Sequence, residues 1–131
     1  MNGIVRTFSL LVLSALLAAT ALTAANDGVT KRIKFAKGKS SATVRGAVVR
    51  GDRDTYIVGA RAEQMMSVTI SSIEDNAVFT VQGPDGEFLQ DAGEEDDAKG
   101  VTVPLPLNGD YRIKVGGTRG NATYRLTVTI R

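Results

Sequence analysis

Apolar and polar residues alternate along most of the chain. From Tyr124 to Ile130 every second residue is apolar, and arginine or threonine occupies the positions between them. Successive side chains of a β-strand point to opposite faces, so this pattern predicts a strand with one buried and one solvated face. The same alternation runs from Tyr111 to Val115, and the glycine-rich residues 116–121 lie between the two segments. We therefore predict that these segments form a β-hairpin.

Other short segments repeat this period of two. They lie at 33–35, 44–48, 56–60, 66–70 and 77–82. Pro84-Asp85-Gly86 is a turn signal. Val101–Leu105 is predicted to be an edge strand, because Pro104 and Pro106 lack the N–H that a central strand donates. No window has the period of a helix, so the sequence predicts an all-β fold, an antiparallel β-sandwich or jelly roll of about eight short strands.

The N-terminus has the features of an export signal. Arg6 precedes the apolar stretch Phe8–Leu22, and the small residues Thr23-Ala24-Ala25 follow it. This stretch is shorter than the roughly 20 residues of a membrane-spanning helix, and no cysteine follows it to carry a lipid. We predict a signal peptide at residues 1–25, cleaved before Asn26, and a single exported domain at residues 26–131. A retained N-terminal anchor is the alternative.

The composition excludes most classes of enzyme that use a side-chain base or nucleophile. The chain contains no histidine and no cysteine, so it has no imidazole base, no thiolate nucleophile and no disulfide. A hydrolase with two opposed carboxylates is compatible with the composition, but such a pair needs rigid positions on either side of a substrate, and the acidic residues here cluster in one segment. We therefore predict a protein that is not an enzyme and that carries no metal or other cofactor.

Charge is divided into blocks along the chain. Residues 31–61 have a net charge of +7, residues 74–97 contain nine acids and no base, and residues 99–131 return to +5. The basic block lacks the interleaved aromatic residues of a single-strand binding surface, so no nucleic-acid partner is expected. The acidic block is rich in potential calcium ligands, but Asp91-Ala92-Gly93-Glu94 breaks the EF-hand spacing and favours a solvated loop.

The segment Pro106–Tyr111 is the candidate binding loop. Asn108-Gly109 favours a tight turn with positive φ, directly before a strand that begins with Tyr111. Two interpretations of this tyrosine are open. Its hydroxyl can pin a corner of the sandwich, or the turn can project its ring as an amphipathic anchor of the kind that dominates many protein interfaces.

The series of strands and turns resembles the exported bacterial inhibitors of goose-type (g-type) lysozyme and, more distantly, the inhibitors of invertebrate-type (i-type) lysozyme. The resemblance covers most of the chain after residue 25. The residues that carry it are Phe35-x-Lys37-Gly38-x-Ser40-Ser41-Ala42, Gly46, Asp54-Thr55-Tyr56, Ala60 with Gln64, Val68-x-Ile70-Ser71, and Leu105-Pro106-x-x-Gly109-x-Tyr111. The Leu-Pro and Gly-x-Tyr ending is also similar to that of secreted pre-peptidase C-terminal β-domains.

This resemblance implies a periplasmic protein that inserts a loop into the active-site cleft of a lysozyme, g-type first and i-type second, and so protects peptidoglycan. The family's Ser-Gly-x-Tyr loop falls on residues 108–111, where asparagine replaces serine. The lysozyme-binding residues are then expected to be Asn108, Gly109, Asp110, Tyr111, Arg112 and Arg119, with Tyr111 as the anchor.

Long-range attraction is a second expectation. Lysozymes are commonly cationic, so the acidic residues Glu94, Glu95, Asp96 and Asp97 are expected to steer the partner electrostatically. A different function stays open: a non-inhibitory binding module of the pre-peptidase C-terminal type that recognises a glycan or an envelope protein. The sequence also leaves open the class of lysozyme, the effect of Asn108 on inhibition, calcium binding by the acidic loop, the order of the strands, and a homodimer formed through an exposed edge strand.

Overall fold

Eight β-strands in two packed sheets make up the part of the chain that the computed structural model describes, residues 27–131. These residues contain no helix, and the predicted all-β sandwich is confirmed. The strands are β1 (Asp27–Arg32), β2 (Ser41–Val48), β3 (Arg53–Ala60), β4 (Met65–Ser72), β5 (Ala77–Gln82), β6 (Gly100–Pro104), β7 (Gly109–Gly117) and β8 (Ala122–Ile130).

Each sheet contains four strands. The first sheet has the order β1-β3-β7-β5, and the second sheet has the order β2-β8-β4-β6. Neighbouring strands are antiparallel, except that β1 and β3 are parallel. The edge position predicted for Val101–Leu105 is confirmed, since β6 lies at the edge of the second sheet. The strand predicted at 33–35 differs, because β1 ends directly before it at Arg32.

The core lies between the sheets and takes alternate residues of each strand. Tyr111, Ile113 and Val115 are the inward residues of β7 and are fully buried. Leu126 and Val128 are fully buried inward residues of β8. Each such side chain stabilises the fold by roughly 1.5–3 kcal/mol through its removal from water. The period of two in the sequence therefore identifies the inward faces of β7 and β8 correctly.

The predicted hairpin between Tyr111–Val115 and Tyr124–Ile130 is wrong. β7 pairs with β3 and β5 in the first sheet, whereas β8 pairs with β2 and β4 in the second. The connection between them crosses from sheet to sheet, and Asn76 holds it: its carbonyl accepts the Thr118 N–H (2.8 Å), and its amide donates to the Asn121 carbonyl (2.9 Å). Alternation along a strand identifies its buried face but not the strand with which it pairs.

A buried chain of polar groups connects the two sheets. Tyr124 of the second sheet donates its hydroxyl to Asp54 Oδ2 (2.5 Å), and the hydroxyl of Tyr56 lies 2.6 Å from that of Tyr124. Asp54 Oδ1 accepts the Val29 N–H of β1 (2.9 Å). Burial, followed by the hydrogen bond to Asp54, raises the pKa of Tyr124 well above its ordinary value, so the hydroxyl keeps its proton. Gly46 leaves the space for it, since a Cβ there would lie 2.5 Å from the Tyr124 hydroxyl.

The long β5–β6 connection covers the free edge of β5. A backbone hydrogen bond from Val81 N–H to the Ala92 carbonyl (3.0 Å) attaches it to the strand. The turn predicted at Pro84-Asp85-Gly86 is confirmed, with Gly86 at φ +86° and its N–H donating to the Gly83 carbonyl (2.9 Å). The side chains of Glu94–Asp97 are exposed farther along this connection, as predicted.

The predicted signal peptide at residues 1–25 lies outside the described residues. Within residues 27–131, no helix has the length and apolar character needed to cross a membrane.

Candidate functional site

The loop between β6 and β7 is built around the hydroxyl group of Tyr111. The side chain is fully buried, and its hydroxyl donates to the Leu107 carbonyl (2.7 Å) and accepts the Leu107 N–H (3.1 Å). One phenol thus satisfies both backbone groups of a loop residue and fixes the position at which the loop turns. These contacts are those of a sandwich corner. The ring does not project from the surface as the anchor hypothesis requires.

Asn108 and Gly109 form the exposed tip of this loop. Asn108 Oδ1 accepts the Ala62 N–H (2.8 Å) from the β3–β4 turn, and this bond orients the amide. Its two N–H groups have no hydrogen-bond partner among residues 27–131. Gly109 has φ +138°, and a Cβ there would lie 2.9 Å from Pro84 Cγ. The tip therefore presents two amide donors on a backbone that close packing holds in place.

The β3–β4 turn braces the loop from one side. Glu63 N–H donates to the Leu105 carbonyl and Leu105 N–H donates to the Gln64 carbonyl, both at 2.8 Å. Glu63 itself has a positive φ of 75°. Ala62 and Glu63 were not predicted as site residues, because residues of such a turn follow no period. Only their hydrogen bonds to Asn108 and Leu105 show that the two turns share one surface.

Asp110 points along the outer face of the first sheet toward Arg32. Its carboxylate oxygens accept two hydrogen bonds from the Arg32 guanidinium, at 3.0 and 2.7 Å. The pair passes over Gly59, which has no side chain to obstruct it. The hydrogen bond from Arg32 lowers the pKa of Asp110, and the positive charge of Arg112 lowers it further. The negative charge beside the loop tip is therefore compensated within the protein, and Arg112 is exposed next to it.

Arg119 lies at the other end of the sandwich. It follows β7, whereas Asn108 precedes β7, and the nine residues of this strand span about 30 Å. The guanidinium of Arg119 donates to the Glu74 carbonyl (2.9 Å). The structure thus brings residues 108–112 together and separates Arg119 from them.

The four acidic residues expected to steer a partner lie on the β5–β6 connection. Glu94 accepts two hydrogen bonds from Arg53 (3.0 and 2.9 Å). These bonds are the main reason that the pKa of Glu94 is lowered. Asp96 accepts a backbone N–H within its own turn (2.7 Å). Glu95 and Asp97 are exposed. Across residues 27–131, no three acidic side chains converge at a point that suits a metal ion.

A comparison with known proteins identifies the family. The chain is 34% identical over 112 residues to the inhibitor of g-type lysozyme of Escherichia coli strain K12, a match that covers 85% of this chain and 81% of that protein. The chain belongs to the family of g-type lysozyme inhibitors. The resemblance seen in the sequence is thereby confirmed. No family model matches the chain.

Solved structures of the same family share the fold. The crystal structure of PliG from Aeromonas hydrophila, a periplasmic inhibitor of g-type lysozyme, aligns with a TM-score of 0.69 at 30% identity, over 80% of this chain and 99% of PliG. PliG from Salmonella Typhimurium gives 0.63 at 28% identity, over 79% and 99%. The pre-peptidase C-terminal domain of a Bacillus anthracis collagenase, at 17% identity and a TM-score of 0.57, is similar in fold alone. The members of this family are named as inhibitors and not as enzymes, in agreement with the composition.

Tyr111→Phe is predicted to destabilise the protein by about 1–3 kcal/mol, because both backbone groups of Leu107 lose their partner while the ring stays in the core. Chemical denaturation measures the free energy of unfolding, and amide hydrogen exchange at Leu107 measures the corner directly. We expect the Leu107 amide to lose its protection. If its exchange rate stays as in the unchanged protein, the hydroxyl does not hold the loop.

The carboxyl group of Asp110 is predicted to titrate below its ordinary pKa of 3.8. Arg32→Ala is expected to move this pKa upward, because the hydrogen-bonding cation is removed. A depressed pKa means that the ion pair is fully formed above the ordinary pKa and is lost as the pH falls through the depressed one, so the pair is intact at neutral pH. Carboxyl-detected NMR measures both values. Arg45→Ala, on the outer face of the other sheet, is the control; an equal shift there would contradict the assignment.

Proposed function

We propose that this protein inhibits a g-type lysozyme by inserting the Asn108–Gly109 tip into the active-site cleft. The observation that carries the proposal is the geometry of the tip, with two unpaired amide donors on an exposed and tightly braced loop. Glycoside hydrolases of this kind work through carboxylates in the cleft. A carboxylate accepts amide N–H donors in charge-assisted hydrogen bonds, which are stronger than neutral ones. The relatives named as inhibitors of g-type lysozyme support the choice of target.

Asn108 takes the place of the serine of the family loop. Serine has one hydroxyl donor, whereas asparagine has two N–H donors and a carbonyl. Here the Ala62 N–H uses one of the two lone pairs of the carbonyl, whereas both N–H donors of the amide stay available to a partner. This suits a carboxylate better than a neutral acceptor.

The neighbouring residues support the tip in different ways. Tyr111 acts as a positioning residue from inside the core, through Leu107. Asp110 would repel a carboxylate, but its pairing with Arg32 removes most of that cost. Arg112 adds an exposed positive charge on the adjacent face. Arg119, at the opposite end of β7, is not part of this contact surface.

The hydrogen bonds that hold the loop make it rigid before binding, which favours inhibition. A flexible loop loses conformational freedom when it binds, at a cost of roughly 0.5–1.5 kcal/mol for each immobilised side chain. The bonds from Leu105, Leu107 and Asn108 hold this loop before any partner arrives. Most of the interaction energy is then available for binding.

The setting of this activity is the periplasm. Cleavage before Asn26 would release a domain without catalytic machinery into the compartment that contains peptidoglycan. Periplasmic relatives support this location. Inhibition of an incoming lysozyme there would protect the cell wall.

A single assay tests the function. The purified protein is titrated against goose-type, invertebrate-type and chicken-type lysozymes while lysis of a cell-wall substrate is followed. We expect the goose-type enzyme to be inhibited at the lowest concentration of the protein. Unchanged lysis by all three enzymes would end the proposal.

Asn108→Asp is predicted to weaken inhibition by at least about tenfold, because it replaces two donors by a negative charge that a cleft carboxylate repels. An aspartate oxygen still accepts the Ala62 N–H, so the loop keeps its shape. The inhibition constant and the free energy of unfolding are both measured.

Asn121→Asp is the matched control for this experiment. Asn121 is also exposed, and its Oδ1 also accepts a backbone N–H, that of Arg50 (2.7 Å), at the opposite end of the sandwich. We expect normal inhibition from this variant. An equal loss in both variants would mean that added charge, and not the loop tip, decides the effect.

The acidic segment is predicted to accelerate association with a cationic lysozyme. Glu94 is compensated by Arg53, so the double variant Glu95→Gln with Asp97→Asn should slow association most, and more at low salt than at high salt. Asparagine tolerates the φ of 47° at position 97. Stopped-flow kinetics measures the rate. Glu95→Gln and Glu74→Gln are the matched single variants, since each removes one exposed acid that forms no ion pair within residues 27–131, and equal slowing by both would assign the effect to net charge alone.

A further inference from the structure

A pocket of about 400 Å³ opens on the outer face of the first sheet, toward the end opposite the Asn108 loop. Neighbouring strands contribute Arg53 from β3, Lys114 from β7 and Thr80 from β5, and the β5–β6 connection contributes Glu94 and Asp97. Thr80 and Lys114 are direct partners in the β5–β7 register. The volume lies within the range of about 300–1,000 Å³ that small-molecule sites occupy.

Thr80 is the unusual residue of this pocket. Its strand neighbours Phe79 and Val81 point into the core, so Thr80 points outward, to the side of the pocket. Only 6% of its surface is exposed, and Thr80 Oγ1 has no hydrogen-bond partner among the described residues. Valine would fill the same volume without a buried, unpaired hydroxyl. The hydroxyl is therefore available to a partner from outside the chain, either a water molecule or a ligand group.

The charged groups of the pocket are nearly balanced. Arg53 lies across Gly116, with its Cγ 3.8 Å from the position that a Cβ would take there, and meets Glu94 through two hydrogen bonds. Lys114 forms no ion pair within residues 27–131. The lining of the pocket thus contains two cations, Arg53 and Lys114, and the carboxylates of Glu94, Asp97 and Asp52. Such a set has no large excess of either sign to select an ion.

A pocket that contains both donors and acceptors suits a neutral polar ligand. A sugar hydroxyl both donates and accepts, and adjacent hydroxyls of a ring can bind a cation and a carboxylate side by side. Thr80 Oγ1 has the same dual capacity. The exposed Arg53–Glu94 pair is an ion pair of low net stability, so a ligand can open it at little cost.

We infer that this pocket binds a neutral saccharide of one or two units. A second depression of about 500 Å³ shares Gly51, Arg53 and Lys114 with it and extends across the same face, which provides room for the second unit. The Asn108–Gly109 tip lines neither depression, and of the residues assigned to lysozyme binding Arg112 alone borders the second one. Sugar binding in the first pocket can therefore be tested separately from lysozyme inhibition.

NMR titration of the purified protein tests the site with two probes, N,N′-diacetylchitobiose and maltose. Saturable shifts of the amides of Thr80, Gly93, Gly116 and Gly117 with either sugar support the inference. Binding of chitobiose alone identifies an acetylated wall-type glycan as the source of the ligand, and binding of maltose identifies a free sugar. The absence of such shifts with both sugars overturns the inference.

Variants separate binding from structure. Thr80→Val and Glu94→Gln are each expected to weaken sugar binding about tenfold, the equivalent of one hydrogen bond. In the sugar-free protein, Thr80→Val should also raise the Tm by about 4 °C or more, because it removes an unpaired buried hydroxyl. Thr43→Val, on the outer face of the second sheet, is the control and should leave sugar binding unchanged.

The opposite results contradict the site. If Thr80→Val lowers the Tm and sugar binding persists in both variants, the hydroxyl has a structural role and the pocket is not a saccharide site. Should Thr80→Val fail to fold, Glu94→Gln decides the outcome alone, since its side chain lies on the surface.

Discussion

The two sheets depend on one buried carboxylate. Asp54 is 3% exposed, and an unpaired charge in that position would cost several kcal/mol. The Tyr124 hydroxyl satisfies one oxygen from the opposite sheet, and the Val29 N–H satisfies the other from the neighbouring parallel strand. One side chain therefore links β1, β3 and β8. The absence of a side chain at Gly46 follows from this arrangement, because the Tyr124 hydroxyl occupies the space.

The same physical principle shapes the candidate binding loop. The ring of Tyr111 packs in the core, so its hydroxyl needs hydrogen-bond partners inside the protein. The N–H and carbonyl groups of Leu107 are these partners. The exposed tip is thus fixed by a contact that lies wholly inside the protein. In the proposed binding loop, the residue that holds the loop in place, Tyr111, is therefore different from the exposed residues at its tip.

Charge along the chain is rearranged by folding. Arg32 and Arg53 belong to the basic block, yet each meets an acid distant in sequence, Asp110 and Glu94 respectively. Both pairs lie on the outer face of the first sheet and cross a glycine, Gly59 in one case and Gly116 in the other. In each case the glycine has no side chain, so the arginine of the neighbouring strand can pass over it. The net charge of a sequence block is therefore larger than the uncompensated charge that these residues present on the folded surface.

The sequence alone determined the fold class, the inward face of nearly every strand and the family, because alternation, turn residues and short motifs are local properties. It also placed Asn108 on an exposed loop before β7, but the tight Asn108–Gly109 turn was wrong, since Gly109 is the first residue of β7 and Asn108 has no positive φ. Strand pairing was not available from it, and β7 and β8 were wrongly joined, since a connection between sheets has the same residues as a hairpin. Only the tertiary structure shows that Tyr111 is buried, that Arg119 lies far from the loop and that Ala62 donates a hydrogen bond to Asn108. These depend on contacts between residues far apart in sequence, which no local period records.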